Sequence, residues 1–400
     1  MTISETRRDA AAESASPGRS LSTVNATAPD GGAPTGGGRG TLPGADGSRA
    51  ARGTRPHSAA RTAVTGVVLL VLLLAVLVLS AGAGQFPTAP AEVIGSVWRA
   101  VTGSSSATPD ETLLDSTLWN IRFPRLLLGV IVGAALGVAG ALMQGVFSNP
   151  LAEPGIIGVS SGAAVGACVV IVFGLTAAGG WVLPLAAFLG GMLVTWLVYL
   201  LATSGNRAMV LTLVLTGIAV NAVAGAIMSF LVFLGDTASR EQIVFWQMGS
   251  LNGATWTAVG TAGIVFLLGV VVAMTLRSQL DLLSLGERPA QHAGVNVGRL
   301  RVVSIVAVAV LTSAAVAYAG HISFVGLVVP HALRLVIGPS HRGLIPLSAL
   351  GGAMLLSLAD VAARTVIPFA DMPIGIFTAV VGGPVFFILL RQSLKKQGTL

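Results

Sequence analysis

Few side chains in this 400-residue chain could do chemistry. Its two lysines, Lys395 and Lys396, lie near the C-terminus, and neither sits in the Gly-x4-Gly-Lys-Ser/Thr loop that cradles nucleotide phosphates. The chain therefore has no Walker site with which to hydrolyse ATP. Carboxylates near the apolar stretches are Glu153, flanked by Pro150 and Pro154, then Asp360 and Asp371. An ion-coupled carrier needs ionisable groups inside the membrane as a relay, and these three are thin material for one. His292, His321, His331 and His341 are dispersed, and an isolated histidine is no axial-ligand site for haem. Cys168 is the single cysteine, so no intramolecular disulfide can form and redox compartment is unread. With no nucleophile, base or metal-ligand constellation, the residues point away from an enzyme, and neither a metal nor a cofactor is expected on this chain.

The elements that hold these residues are apolar spans. Hydrophobic residues make up 54% of the chain and charged residues 10%, with a mean hydropathy of +0.84, a polytopic membrane composition. The net charge of +7 comes from arginines in the N-terminal tail and between spans, a topological pattern rather than a nucleic-acid stripe. At roughly 20 apolar residues per span, ten are expected: about 63–83, 124–143, 156–175, 181–202, 209–234, 256–276, 301–319, 322–338, 344–363 and 374–390. Residues 1–60, rich in Gly, Ala, Ser and Pro, form a separate tail expected to be disordered, leaving 61–394 as the membrane domain. Arg49, Arg52, Arg55 and Arg61 precede the first span and put the N-terminus in the cytoplasm. An even number of spans returns Arg391, Lys395 and Lys396 to the same side.

Between spans two and three the run Asn149-Pro150-Leu151-Ala152-Glu153-Pro154-Gly155-Ile156-Ile157-Gly158 breaks any helix. Broken backbone at membrane depth survives only where protein buries it or water reaches it, so it is read as a re-entrant connection shaping the inner mouth of a pathway. Two longer connections have helical patterns. One, 277–300, is cytoplasmic, with Leu280, Leu282, Leu283 and Leu285 before Gly286-Glu287-Arg288; the other, 235–255, is external and contains Phe245, Trp246 and Met248. Gly129, Gly133 and Gly137, and Gly158, Gly162 and Gly166, form stripes suited to close helix packing. Ala139-Gly140 precedes Pro150 as Ala319-Gly320 precedes Pro330, on spans of opposite direction, which suggests an inverted repeat.

Arg122-Phe123-Pro124-Arg125, Met143-Gln144, the run from Asn149 to Gly155, Leu285-Gly286-Glu287, Phe324 to His331, Leu358-Ala359-Asp360, Met372-Pro373-Ile374-Gly375 and Gly383-Pro384-Val385-Phe386 occur in that order. From about residue 62 to the C-terminus the chain resembles the FecCD-type, BtuC-like permease family. Its members are membrane subunits of binding-protein-dependent ABC importers for ferric siderophores, haem or vitamin B12.

The resemblance implies an all-α fold of ten membrane helices in a bacterial cytoplasmic membrane, a homodimer, two separate ATPase chains that use ATP and Mg, and an extracytoplasmic binding lipoprotein. It assigns Arg122 and Arg125, with Arg364, to docking of the binding protein; their alternative is anchoring of helix ends. It assigns Leu282, Leu285, Gly286, Glu287 and Arg288 to coupling with the ATPase, Glu287 or Arg288 pairing with the partner. Asn221 either lines the pathway or bonds between helices, and Phe245, Trp246 and Met248 form a gate or pack the core. The substrate expectation is an iron chelate, with a look closer to haem permeases than to siderophore ones. Vitamin B12 permeation and an ion-coupled carrier are the alternatives.

Overall fold

The computed structural model describes residues 56–84, 88–106, 108–204, 207–208 and 210–396. The expected disordered tail lies outside them except for its last residues, which open the first helix. Membrane-spanning helices are α1 (Pro56–Gly82), α4 (Phe123–Val146), α5 (Val159–Val172), α6 (Val182–Ala202), α7 (Val210–Leu234), α9 (Trp256–Leu283), α11 (Val297–Ala319), α12 (Val325–Ile337), α13 (His341–Thr365) and α14 (Ile374–Lys396). Eight are long and apolar enough to cross a bilayer unaided, while α5 and α12 are shorter apolar helices. They fall on the ten expected spans. Short helices stand between them: α2 (Pro90–Thr102), α3 (Pro109–Thr117), α8 (Thr237–Met248) and α10 (Glu287–His292). Two-residue extended pieces, Thr203–Ser204 and Arg207–Ala208, pair antiparallel between α6 and α7.

Helix α4 is the axis of the bundle, buried from Leu128 nearly without interruption to Val146. The glycine stripes explain how it is wrapped so closely. A Cβ on Gly133 or Gly137 would overlap the carbonyl oxygens of Gly352 and Ser348 on α13, and one on Gly162 or Gly166 would overlap those of Gly190 and Ala186 on α6. With no hydrophobic drive between helices in lipid, such backbone contact supplies the packing. Outer helices are apolar and exposed: α1 exposes Val67, Val71 and Leu74, and α7 exposes Leu211, Val223 and Phe233.

Two regions differ from expectation. The sixth span does not stop near residue 276, because α9 continues through Leu283, so the coupling loop is shorter than 277–300. Between α3 and α4 the helical path widens to a π turn over Leu118–Arg122, with the Phe123 N–H reaching the Leu118 carbonyl. Pro124 follows at once and has no N–H for the ordinary ladder, a cause of such bulges. Before the π turn stand α2 and α3, two short helices for which the span reading gave no element.

Candidate functional site

Helices α5 and α12, of 14 and 13 residues, rise only about 20 Å each, against about 30 Å of hydrocarbon. The missing length is supplied by the broken segments before them, 149–158, which turns and then forms a single 3-10 turn at Pro154–Ile157, and 320–324. Each segment ends in a left-handed residue, Gly158 (φ 82°) and Phe324 (φ 69°). Glycine takes that conformation freely, whereas for phenylalanine it costs about 1–2 kcal/mol.

The two breaks meet. The Phe324 N–H donates to Oε1 of Glu153 at 3.2 Å, so the proline-flanked carboxylate of one break holds the strained residue of the other. Nε2 of Gln144, on the last turn of α4, donates to the Leu327 carbonyl at 3.0 Å, and Nδ1 of His331 lies 3.2 Å from the Pro150 carbonyl oxygen. A Cβ on Gly140 would overlap the Gly326 carbonyl. Asn221 donates through Nδ2 to the Gly155 carbonyl at 3.3 Å, and its Oδ1 accepts from Ser161 Oγ at 2.6 Å. Asn221 thus bonds between elements. Asn149 accepts from the Leu151 N–H, making its own turn, and Pro150 contributes its carbonyl. These polar side chains satisfy broken backbone that lipid would leave orphaned. Glu153, Gln144 and Phe324 were not among the expected site residues, although each lies in a recognised motif.

At the end of the bundle that carries α2, α3 and α8, the three arginines lie inside an ionic network. Arg125 donates from Nε to Asp360 at 2.8 Å and from Nη1 and Nη2 to Asp371 at 2.6 and 2.9 Å. Arg364 bonds the other Asp360 oxygen at 3.0 Å, the Ala83 carbonyl and Ser80 Oγ. Arg122 donates to the Ala81 carbonyl and Thr88 Oγ1. Arg122 and Arg125 are buried. They therefore staple α1, α4, α13 and the α13–α14 loop together, the anchoring role that stood as the alternative to docking. With Asp371 they also line a recess of about 270 Å3.

Also at that end, α8 walls a cavity of about 700 Å3 lined by Trp181, Gln242, Phe245, Trp246, Ser250 and Tyr318, within the size range of small-molecule sites. Met248 is not among its lining residues; its carbonyl abuts Gly375 of α14. Asp236 caps α8, accepting from the Ser239 N–H at 2.8 Å, and this bond holds its carboxyl below the ordinary range.

At the opposite end Gly286, with φ 117°, separates α9 from α10. Leu285 is 70% exposed, whereas Leu282 packs against the core, so the two leucines do not share one docking face. Glu287 is paired with Arg301 of its own chain while its side chain stays 53% exposed, and Arg288 is exposed. His341, fully buried, bonds through Nδ1 to Asp281 at 2.7 Å and holds α13 to α9. His321 reaches Ser323 Oγ at 2.9 Å. Among the described residues no three His, Cys, Asp or Glu gather as a metal site.

A bundle of ten membrane helices whose two short members follow mutually bonded breaks is the geometry against which known proteins can be compared. The chain is 40% identical over 320 residues to the hemin transport system permease protein of Yersinia pestis, covering 76% of this chain and 93% of that one. It is 44% identical over 272 residues to the cobalamin import system permease protein of Halobacterium salinarum, covering 68% and 72%. A solved chain described as an inward-facing conformation of an ABC transporter assigned to the metal-chelate type superposes with a TM-score of 0.71 at 32% identity, covering 82% of this chain and 98% of its own. The profile of the FecCD transport family matches residues 71–392; the chain belongs to that family.

Proposed function

We propose that this chain is the membrane-spanning permease subunit of an ABC importer and carries an iron chelate, haem or a ferric siderophore, into the cytoplasm. The observation that carries the transport reading is the pair of broken segments bonded to each other through Glu153 and Phe324. Irregular backbone inside a bundle is the hallmark of a pathway that must rearrange. The haem preference is supported by the 40% identity to the Yersinia pestis hemin permease. Cobalamin is the second reading, favoured by the 44% identity to the Halobacterium salinarum protein.

In this reading two copies of the chain form the pathway, with both termini in the cytoplasm. Two ATPase subunits, which bind ATP and Mg, dock at the α10 end through Leu285, Gly286 and Arg288. A binding lipoprotein docks at the α8 end. The recess there is lined by three arginines and Asp371, with Asp360 buried behind them, a net positive face for acidic side chains. Docking should therefore weaken as salt rises, and salt dependence is a cleaner test than charge reversal, which would also unmake the staple. The cargo is tested in proteoliposomes holding the permease with its ATPase and binding protein. ATP-dependent uptake of haem or a ferric siderophore is expected, and uptake of cobalamin alone would replace the iron reading. Uptake that ignores ATP and collapses with the ion gradient would remove the importer reading altogether.

A further inference from the structure

Helix α2 is amphipathic in the reverse of the sense a water-exposed helix would show. Its polar side is turned inward: Ser96 is buried, and Arg99 donates from Nε and Nη2 to Asp115 of α3 at 2.9 and 2.6 Å, with Glu111 at 3.6 Å. Asp115 also accepts from Ser106 Oγ at 2.9 Å. Its apolar side is turned outward: Ile94, Val97, Trp98 and Val101 are 69%, 40%, 67% and 77% exposed. At 100° per residue these four positions fall within an arc of about 100°. In water this arrangement would leave a continuous apolar stripe with nothing to cover it.

The stripe sits at the rim of the membrane. The Thr88 N–H donates to the Gly82 carbonyl at the end of α1, and Arg122, the last residue of the π turn before α4, holds Thr88 Oγ1 at 2.8 Å, so α2 begins at the level where the first span ends. Other tryptophans gather at the same end. Trp119, in the π turn, stacks on Trp256 at the start of α9, with ring centroids 6.2 Å apart, and Trp181 is 63% exposed at the start of α6. Aromatic belts of this kind mark the headgroup layer.

We infer that α2 is an interfacial helix whose Ile94–Val101 stripe seats on the lipid surface beside α1, continuing the chain's lipid-facing belt. The inference rests on the multi-pass membrane placement and is independent of the cargo. Because Arg99 is consumed by Asp115 and Glu111, the helix offers no free cation to anionic headgroups, so the surface it fits is zwitterionic phosphatidylcholine or phosphatidylethanolamine. Arg99, paired with Asp115 of α3, then needs no solvent, whereas Glu92 in the first turn is exposed to it.

The test uses the full chain with Cys168→Ser, carrying one spin-labelled cysteine at a time (Ile94→Cys, Val101→Cys or Glu92→Cys) in phosphatidylcholine nanodiscs. Collision with oxygen should exceed collision with a water-soluble nickel chelate at 94 and 101, and the order should invert at 92, on the opposite side of the helix. Nickel access at 94 and 101 matching that at 92 would overturn the proposal. So would stripe positions that are water-accessible alone and become shielded only when the binding protein is added, since the occupant would then be protein. As a measurement without cysteines, acyl-brominated lipid should quench Trp98: Trp98→Phe should remove more than its share, as one of six tryptophans, of the quenchable emission. No change in quenching on that substitution would also overturn the proposal.

Discussion

Glu153 was legible in the sequence as an oddity, a carboxylate between prolines in an apolar chain, but its partner was not. Phe324 lies 171 positions away, and no local pattern announces that a phenylalanine will adopt a left-handed conformation. Removing the carboxylate leaves a part-buried N–H without its acceptor at a strained residue, a loss of about 1 kcal/mol. Glu153→Ala should accordingly lower the thermal midpoint in detergent, while Glu153→Gln, which keeps an acceptor oxygen, should stay near wild type. Equal midpoints for Glu153→Ala and wild type would remove the clasp. Arg125 follows a similar logic with a larger stake. Its partner Asp360 is 3% exposed, and breaking a buried pair by deleting one member costs about 3–5 kcal/mol. Arg125→Ala should destabilise by about that amount, whereas Arg288→Ala, at an exposed position, should move stability by less than about 1 kcal/mol. Comparable effects of the two would mean that the network is not a staple.

Among elements, the long spans were readable because a helix hidden in lipid must be apolar along its length. The two short ones were readable only as apolar runs. The first break declared itself through Pro150, Pro154 and Gly155; the second, at 320–324, has no internal proline and was absorbed into a span beginning at 322. The Ala-Gly spacing shared by Gly140–Pro150 and Gly320–Pro330 did not locate it, because Pro150 lies in the first break whereas Pro330 lies inside α12. In both copies a long helix ends, a broken segment follows and a short helix begins, the first break containing a 3-10 turn that the second lacks. The close approach between α4 and α12 is equally specific: Gly140→Ala would drive a Cβ into the Gly326 carbonyl. The expected outcome is overpacking of about 1–3 kcal/mol, read as reduced folded yield on size exclusion, and unchanged yield and melting would contradict it. At the α10 end, Gly286→Trp puts a bulky side chain at φ 117° in the turn assigned to coupling. Loss of substrate-stimulated ATPase activity with assembly retained is expected there; wild-type stimulation would remove Gly286 from the coupling path.

For the whole molecule, composition alone excluded a soluble enzyme and a nucleic-acid binder, and the ordered motifs pointed to one permease family, as the match over residues 71–392 shows. The missing Walker lysine makes a further prediction at this scale. The reconstituted chain without an ATPase partner should bind no nucleotide by calorimetry, and full uptake should return only when that partner is added. Tight ATP binding by the isolated chain would contradict it.

The sequence by itself determined the number of spans, the family and the position of the first break, because hydropathy, proline and glycine act through local physics that lipid makes severe. Tertiary structure decided what the polar residues inside those spans are for. Arg122, Arg125 and Arg364 became a staple and Asn221 a satisfier of broken backbone, and the apolar stripe of α2 turned outward while its arginine turned in. In each case the deciding partner, Asp360, Gly155 or Asp115, lies on a different element. In a medium that offers no hydrogen bonds, a buried polar side chain takes its role from whichever partner the fold brings within about 3 Å.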